Sequence, residues 1–190
     1  MENQQSKSLH IAVTGHRYLP PDHCLHQSIR QVLRNIHLEH ENKNIYLYSA
    51  LAEGADQLVA KIALEFKDVK LYVPLPLPAE AYLGDFYSED GKESFAKMMA
   101  SANEVFLLSP QGNHQDAYQA LGEYLVMQAD ILLAVWNGVF NHKKGGTSEV
   151  IRAALIAKKL VYWIYCKNEK PGEINSLEGI KQIGAIEILK

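Results

Sequence analysis

Short apolar bursts rich in Val, Ile, Leu and Tyr recur along the chain with helix-period segments between them, and this alternation restricts the fold more than any other feature. The bursts are Leu9 to Val13, Ile45 to Tyr48, Val69 to Val73, Val105 to Leu108, Ile131 to Trp136, Leu160 to Tyr165 and Ala185 to Leu189. Most are too short for a buried helix and too continuous for a strand with one wet face, which suits a sheet covered on both sides. Between the first two, Leu25, Ile29, Val32, Leu33 and Ile36 share one helical face, and Asp22 behind Pro20-Pro21 fits an N-cap. Similar stripes follow at Leu58, Val59, Ile62, Ala63 and Phe66, at Phe95, Met98, Met99 and Ala102, at Ala117, Leu121, Tyr124 and Leu125, and at Val150, Ala153, Ala154 and Ala157. The expected architecture is a doubly wound, mainly parallel, Rossmann-like α/β sheet of about seven strands with helices on both faces. Residues 1–8 are polar and expected to be a disordered tail, and residues 9–190 a single domain. The irregular stretch Pro74 to Lys92, rich in proline and acid, is either a lid or a plain surface excursion.

Composition narrows the function. Of 190 residues 47% are hydrophobic and 22% charged, which excludes disordered and collagen-like chains. Two cysteines, Cys24 and Cys166, with no CxxC pair or Cys/His cluster, fit a reduced cytoplasmic protein without a metal site or resident cofactor. The 19 Lys+Arg against 22 Asp+Glu give a formal net charge of -3. Without a basic block, that weighs against a dedicated nucleic-acid binder and leaves small anionic ligands open. The longest apolar run, Ile131 to Trp136, falls far short of the roughly 20 residues of a membrane span, so no membrane partner is expected.

In a sheet of this kind ligands sit outside the carboxyl ends of the strands, where the strand order reverses. Four segments after strands carry chemistry. Thr14-Gly15-His16-Arg17 offers a tight turn and a guanidinium fork suited to phosphate or carboxylate, or else a turn with a solvated arginine. Ser49 to Asp56 leads into a helix start, where Gly54 permits close backbone approach; Ser49 capping a turn and Asp56 complementing the dipole is the plainer reading. Ser109-Pro110-Gln111-Gly112-Asn113-His114 reads as a flexible polar loop, with His114 either a ligand contact or one of the ordinary surface residues among the chain's eight histidines. After Trp136, Gly145-Gly146-Thr147-Ser148 opens a helix and exposes successive N–H groups with no bulk in the way, a phosphate cradle, with Lys143, Lys144 and Arg152 nearby. Glu149 in its first turn is a general acid/base or a dipole partner. The order GxxxxGKS/T of a P-loop and the dinucleotide fingerprint GxGxxG are both absent.

A first strand ending VTGHR, a second ending in SALAEGAD, and a fifth ending in ADILLAVWNG with GGTSE opening the next helix together resemble the SLOG superfamily. These Rossmann-like domains include DprA/Smf proteins, LOG phosphoribohydrolases and nucleotide sensors, and the likeness to uncharacterised bacterial stand-alone members spans roughly residues 9 to 165. The resemblance implies a pocket for a nucleotide or nucleotide-derived ligand built from Gly15, Arg17, Ser49, Gly54, Asp56, Gly145, Gly146, Thr147 and Glu149. His16, Ser109, Trp136 and Ser148 join the ligand-binding set, with Trp136 or Tyr18 flanking the sugar or base. The expected function is sensing or carrying such a ligand, its phosphate on the Gly145-Gly146-Thr147 helix start and Arg17. The alternative is a LOG-like hydrolase that cleaves the N-glycosidic bond of a nucleoside 5'-monophosphate with Glu149 as acid/base. LOG enzymes resemble PGGxGTxxE, and Val150 stands where that glutamate falls, the acid coming one residue earlier. Against the DprA pattern SGLARGID, Ala50 replaces the glycine and Glu53 the arginine. The resemblance also allows a homodimer.

Overall fold

The computed structural model describes residues 8–108, 112–141 and 143–190. In chain order the elements are β1 (Ser8–Gly15), α1 (His23–Glu39), β2 (Asn44–Tyr48), α2 (Ala55–Ala63), β3 (Val69–Leu75), α3 (Ala79–Leu83), α4 (Glu89–Ser101), β4 (Glu104–Leu107), α5 (His114–Gln128), β5 (Ile131–Trp136), α6 (Thr147–Ile156), β6 (Leu160–Tyr165) and β7 (Ile186–Leu189). Each apolar burst is thus a strand. The strands form one sheet in the order β4-β3-β2-β1-β5-β6-β7, parallel except where β7 joins β6 antiparallel. Residues 1–7 of the expected tail lie outside the described residues, and Ser8, placed in that tail by the sequence, is already the first residue of β1.

The steps from β1 to β4 run one way across the sheet, and those from β4 to β5 and β6 run the other. Right-handed crossovers therefore put α1, α2 and α4 on one face and α5 and α6 on the opposite face, and α1 packs on α2, α2 on α4, and α5 on α6. The doubly wound α/β fold is as expected.

Local chemistry accounts for the elements. The α1 stripe Leu25, Ile29, Val32, Leu33 and Ile36 is buried as a set, and the Asp22 carboxylate accepts from the N–H groups of Cys24 and Leu25. Every residue of β5 is buried between the two helical layers. By contrast β4, an edge strand paired only to β3, leaves Val105 and Leu107 exposed, so the expected two-sided cover fails there. Asn113 caps α5 through a capping box with Asp116, so His114 opens a helix where a loop is expected. Among the described residues no helix is long and apolar enough to cross a membrane.

The stretch Pro74 to Lys92 is neither a loose lid nor a surface excursion. Tyr82, Phe86 and Phe95 are all buried and meet edge to face. The buried Glu53 carboxylate reaches across from the α2 approach and accepts from the Tyr87 N–H at 2.8 Å, from the Ser88 N–H, and from the Ser88 hydroxyl. Gln57 adds bonds to the carbonyls of Leu51 and Gly91. This segment is therefore fixed to the core and delivers Tyr82 and Asp85 to the strand ends.

Candidate functional site

A cleft of about 420 Å³ opens at the carboxyl ends of β1 and β5. These are the neighbours whose outgoing connections leave toward opposite faces, the place where a doubly wound sheet offers a crevice. The end of β1 is tied to both helical layers. The His16 N–H donates to the Val135 carbonyl, the Ala55 N–H to the His16 carbonyl and the Thr147 hydroxyl to the Gly15 carbonyl, each at 3.0 Å. The first turns of α2 and α6 thus meet on either side of Gly15. A Cβ at Gly15 would lie 2.4 Å from the Ala55 Cβ, so no larger residue allows that meeting.

Of the residues expected from sequence, Gly15, His16, Arg17, Asp56, Trp136, Gly145, Gly146, Thr147 and Ser148 line the cleft. Ser109 lies outside the described residues. Ser49, Gly54 and Glu149 are not in the lining. The buried Ser49 hydroxyl donates to the Asp56 carbonyl and accepts from the Leu51 N–H, so it holds the turn that presents Asp56. Gly54, at φ 95°, runs under Arg17: a Cβ there would stand 2.2 Å from the Arg17 carbonyl oxygen. Glu149 is ion-paired with Arg152 at 2.6 Å on α6. His16 accepts the Asn137 N–H on Nε2 at 3.0 Å, which requires that nitrogen to be unprotonated. Burial lowers its pKa and favours the same neutral form, so His16 ties the end of β1 to that of β5.

The glycine turn is a narrower cradle than the sequence suggests. Gly145, at φ 70°, lies so close on α5 that a Cβ would fall 2.7 Å from that of Tyr118. The Gly146 N–H is spent on the Lys143 carbonyl at 2.8 Å, which takes it away from any ligand. The N–H groups of Thr147 and Ser148 have no acceptor among the described residues, as the opening turn of a helix without a side-chain cap. The Ser148 hydroxyl donates to Asn141 Oδ1 at 2.9 Å and so holds the loop closed.

Among the cleft residues that a reading of the sequence misses are Tyr82, Asp85 and Tyr118. Arg17 donates from Nη1 to the Asp85 carbonyl at 2.9 Å and from Nη2 to the Tyr118 hydroxyl at 3.0 Å. Tyr118 in turn donates to Asp85 Oδ2, which also meets His114 Nε2 at 2.9 Å. Burial opposes the Arg17 charge, yet Tyr118, Tyr82 and Asp85 hold its pKa above the ordinary value. Burial pushes the Asp85 carboxyl up, but the hydrogen bonds of Tyr118 and His114 outweigh it and bring the pKa down. Asp56 differs: burial raises it to about 7, against the pull of Arg17 and of the Ala52 and Ala50 N–H groups. The Tyr82 hydroxyl is buried and has no hydrogen-bond partner among the described residues.

At the rim stand Lys143, Lys144 and Lys170, the latter two paired with Asp116 and Glu173. Trp136 packs against Phe140, and Tyr18 stacks on Tyr87 at 4.3 Å, so the wall carries aromatic faces beside the cations. Among the described residues no cluster of three or more His, Cys, Asp or Glu side chains is placed to hold a metal ion.

No family model and no curated protein matches the chain. Among solved structures it is similar to the X-ray structure of TM1055, a target of the Northeast Structural Genomics Consortium, at 13% identity and a TM-score of 0.47, over 80% of this chain and 71% of that one.

Proposed function

We propose that the protein binds a nucleotide or nucleotide-derived small molecule in the β1/β5 cleft, as the resemblance to SLOG domains implies. The phosphate rests on the N–H groups of Thr147 and Ser148 and against Arg17. One observation carries the reading: a guanidinium and an uncapped helix start face the same cleft from separate elements, and both have donors to spare. Arg17 gives one N–H from each of Nη1 and Nη2 to the protein. Its remaining donors suit an anionic oxygen, as do the two N–H groups at the positive end of the α6 dipole. Trp136 and Tyr18 supply faces for a base or sugar. The role is sensing or carrying rather than hydrolysis, since Glu149 is turned to Arg152 outside the cleft lining.

The test is a thermal-shift screen over nucleoside mono-, di- and triphosphates, followed by calorimetry. A ligand at 100 times its Kd raises stability by about 2.7 kcal/mol. Arg17→Gln is expected to raise Kd roughly tenfold to a hundredfold, the loss of a charge-assisted bond. No free base should accumulate on prolonged incubation with the ligand. If no phosphorylated compound shifts the melting curve, the reading fails. Wild-type affinity in Arg17→Gln removes Arg17 from it.

A further inference from the structure

Two groups in the cleft have no part in holding phosphate. The Asp56 carboxyl, in the first turn of α2, stands across Gly15 from the α6 start, since Ala55 meets Gly15 on one side and the Thr147 hydroxyl bonds its carbonyl on the other. Tyr82, from α3, has a hydroxyl that no described residue bonds. Tyr82 lines the cleft together with Asp56, Arg17, Tyr118 and Asp85, and its ring lies 6.2 Å from that of Tyr118. The ring also packs edge to face on Phe86 and Phe95.

A buried hydroxyl left without a partner is costly, and native proteins retain one where something outside the chain completes it. The completing group here has to suit both neighbours. A phosphate oxygen only accepts, so it suits Tyr82 but opposes the Asp56 carboxylate. An apolar group satisfies neither. A ligand hydroxyl does both at one atom: its O–H donates to the carboxyl and its lone pair accepts from the phenol. Two adjacent hydroxyls let each protein group keep its own partner.

Resting on the phosphate reading above, we propose that Asp56 and Tyr82 form a hydroxyl-reading subsite, and that the ligand class is a ribonucleotide whose vicinal 2',3'-diol is held there while its phosphate lies on Thr147, Ser148 and Arg17. Asp56 and Tyr82 are then specificity-determining residues that distinguish ribose from deoxyribose. Sites built to pair a ligand hydroxyl reject the analogue without it, because their own polar groups are left unpaired.

The test uses the tightest-binding of the four ribonucleoside 5'-monophosphates, its 2'-deoxy counterpart and inorganic phosphate, titrated against wild type, Tyr82→Phe and Asp56→Asn. Wild type is expected to bind the ribonucleotide at least about tenfold more tightly than the deoxynucleotide, and each variant to bring that ratio close to one, the effect of losing one or two hydrogen bonds. Inorganic phosphate should bind to neither variant more weakly than to wild type, and to Asp56→Asn more tightly if anything, since that change removes a carboxylate charge near Arg17. Tyr82→Phe retains the ring that packs on Phe86 and Phe95, and the near-ultraviolet circular dichroism of both variants checks the fold. A wild-type ratio already near one, or a full ratio kept in both variants, overturns the subsite while phosphate binding stands. Wild type that binds none of the three probes overturns the phosphate reading and the subsite with it.

Discussion

Asp56 is the residue whose environment is most at odds with its chemistry. It is buried, with its pKa pushed up to about 7 by desolvation, and it lines the cleft together with Arg17 and Tyr82. Because the native carboxyl holds its proton more tightly than the unfolded one, native protein binds more protons between about pH 4 and pH 7, and stability falls as pH rises through that window. Above it the cost is constant. Asp56→Asn is therefore expected to be more stable than wild type at pH 8, by an amount on the order of 4 kcal/mol at most, with the gap closing toward pH 4. Chemical denaturation of both proteins across that range checks it, and a gap independent of pH would show that Asp56 ionises as freely in the fold as outside it. Sequence alone offers two roles for Asp56, ligand contact or dipole partner. Its burial could not be read there, because the cleft it lines is assembled from segments far apart in the sequence.

The elements themselves were largely legible, since each strand is an apolar burst and the α1 face is the stripe of Leu25 to Ile36. What periodicity could not supply was the excursion between β3 and α4. The five residues of α3 are too few to display a helical repeat, and the interaction that fixes them is a single long-range carboxylate. Glu53 spans from the SALAEGAD turn to Tyr87 and Ser88, and Ser88 in turn caps α4 through the Gly91 N–H. From sequence Glu53 figures only as a departure from the DprA pattern. Replacing it by alanine strands those donors. Glu53→Ala is expected to cost about 2 kcal/mol and to open the 84–88 segment to limited proteolysis, with ligand binding weakened through Tyr82 and Asp85. Cleavage no faster than in wild type would mean that the aromatic cluster alone holds the segment. Tyr118 was missed for a related reason: it adjoins the buried α5 positions Ala117 and Leu121 but is not one of them, and only the fold shows that this side faces Arg17.

At the scale of the whole molecule, order is graded from the middle of the sheet outward. β1 and β5 pair on both edges and are covered by helices on both faces, whereas β4 has one partner and exposed side chains, and β7 ends the opposite edge half exposed. Amide exchange is expected to be slowest in β1, β5 and β6 and fastest among the strands in β4 and β7. Ligand should further protect the ends of β1 and β5 and the first turn of α6 while leaving β4 unchanged. Equal protection of β4 and β1 in the free protein would require opening to be global rather than graded.

The central place of β1 also bears on how the chain is made. Its register with β2 links residues 36 positions apart, as with Ser8 and Asn44, while its register with β5 links Ile11 to Ile131. On the ribosome, β1 to β4 can assemble while the other edge of β1 still waits for a strand not yet synthesised. During that interval the row from Ile11 to Val13, later fully enclosed, is an open apolar edge of the kind that recruits other chains. The Gly15 loop cannot yet meet Thr147, and so the cleft does not exist. A nascent chain of this protein is thus exposed to misassembly at a strand whose core its finished form encloses completely, and ligand can protect it only after α6 has emerged.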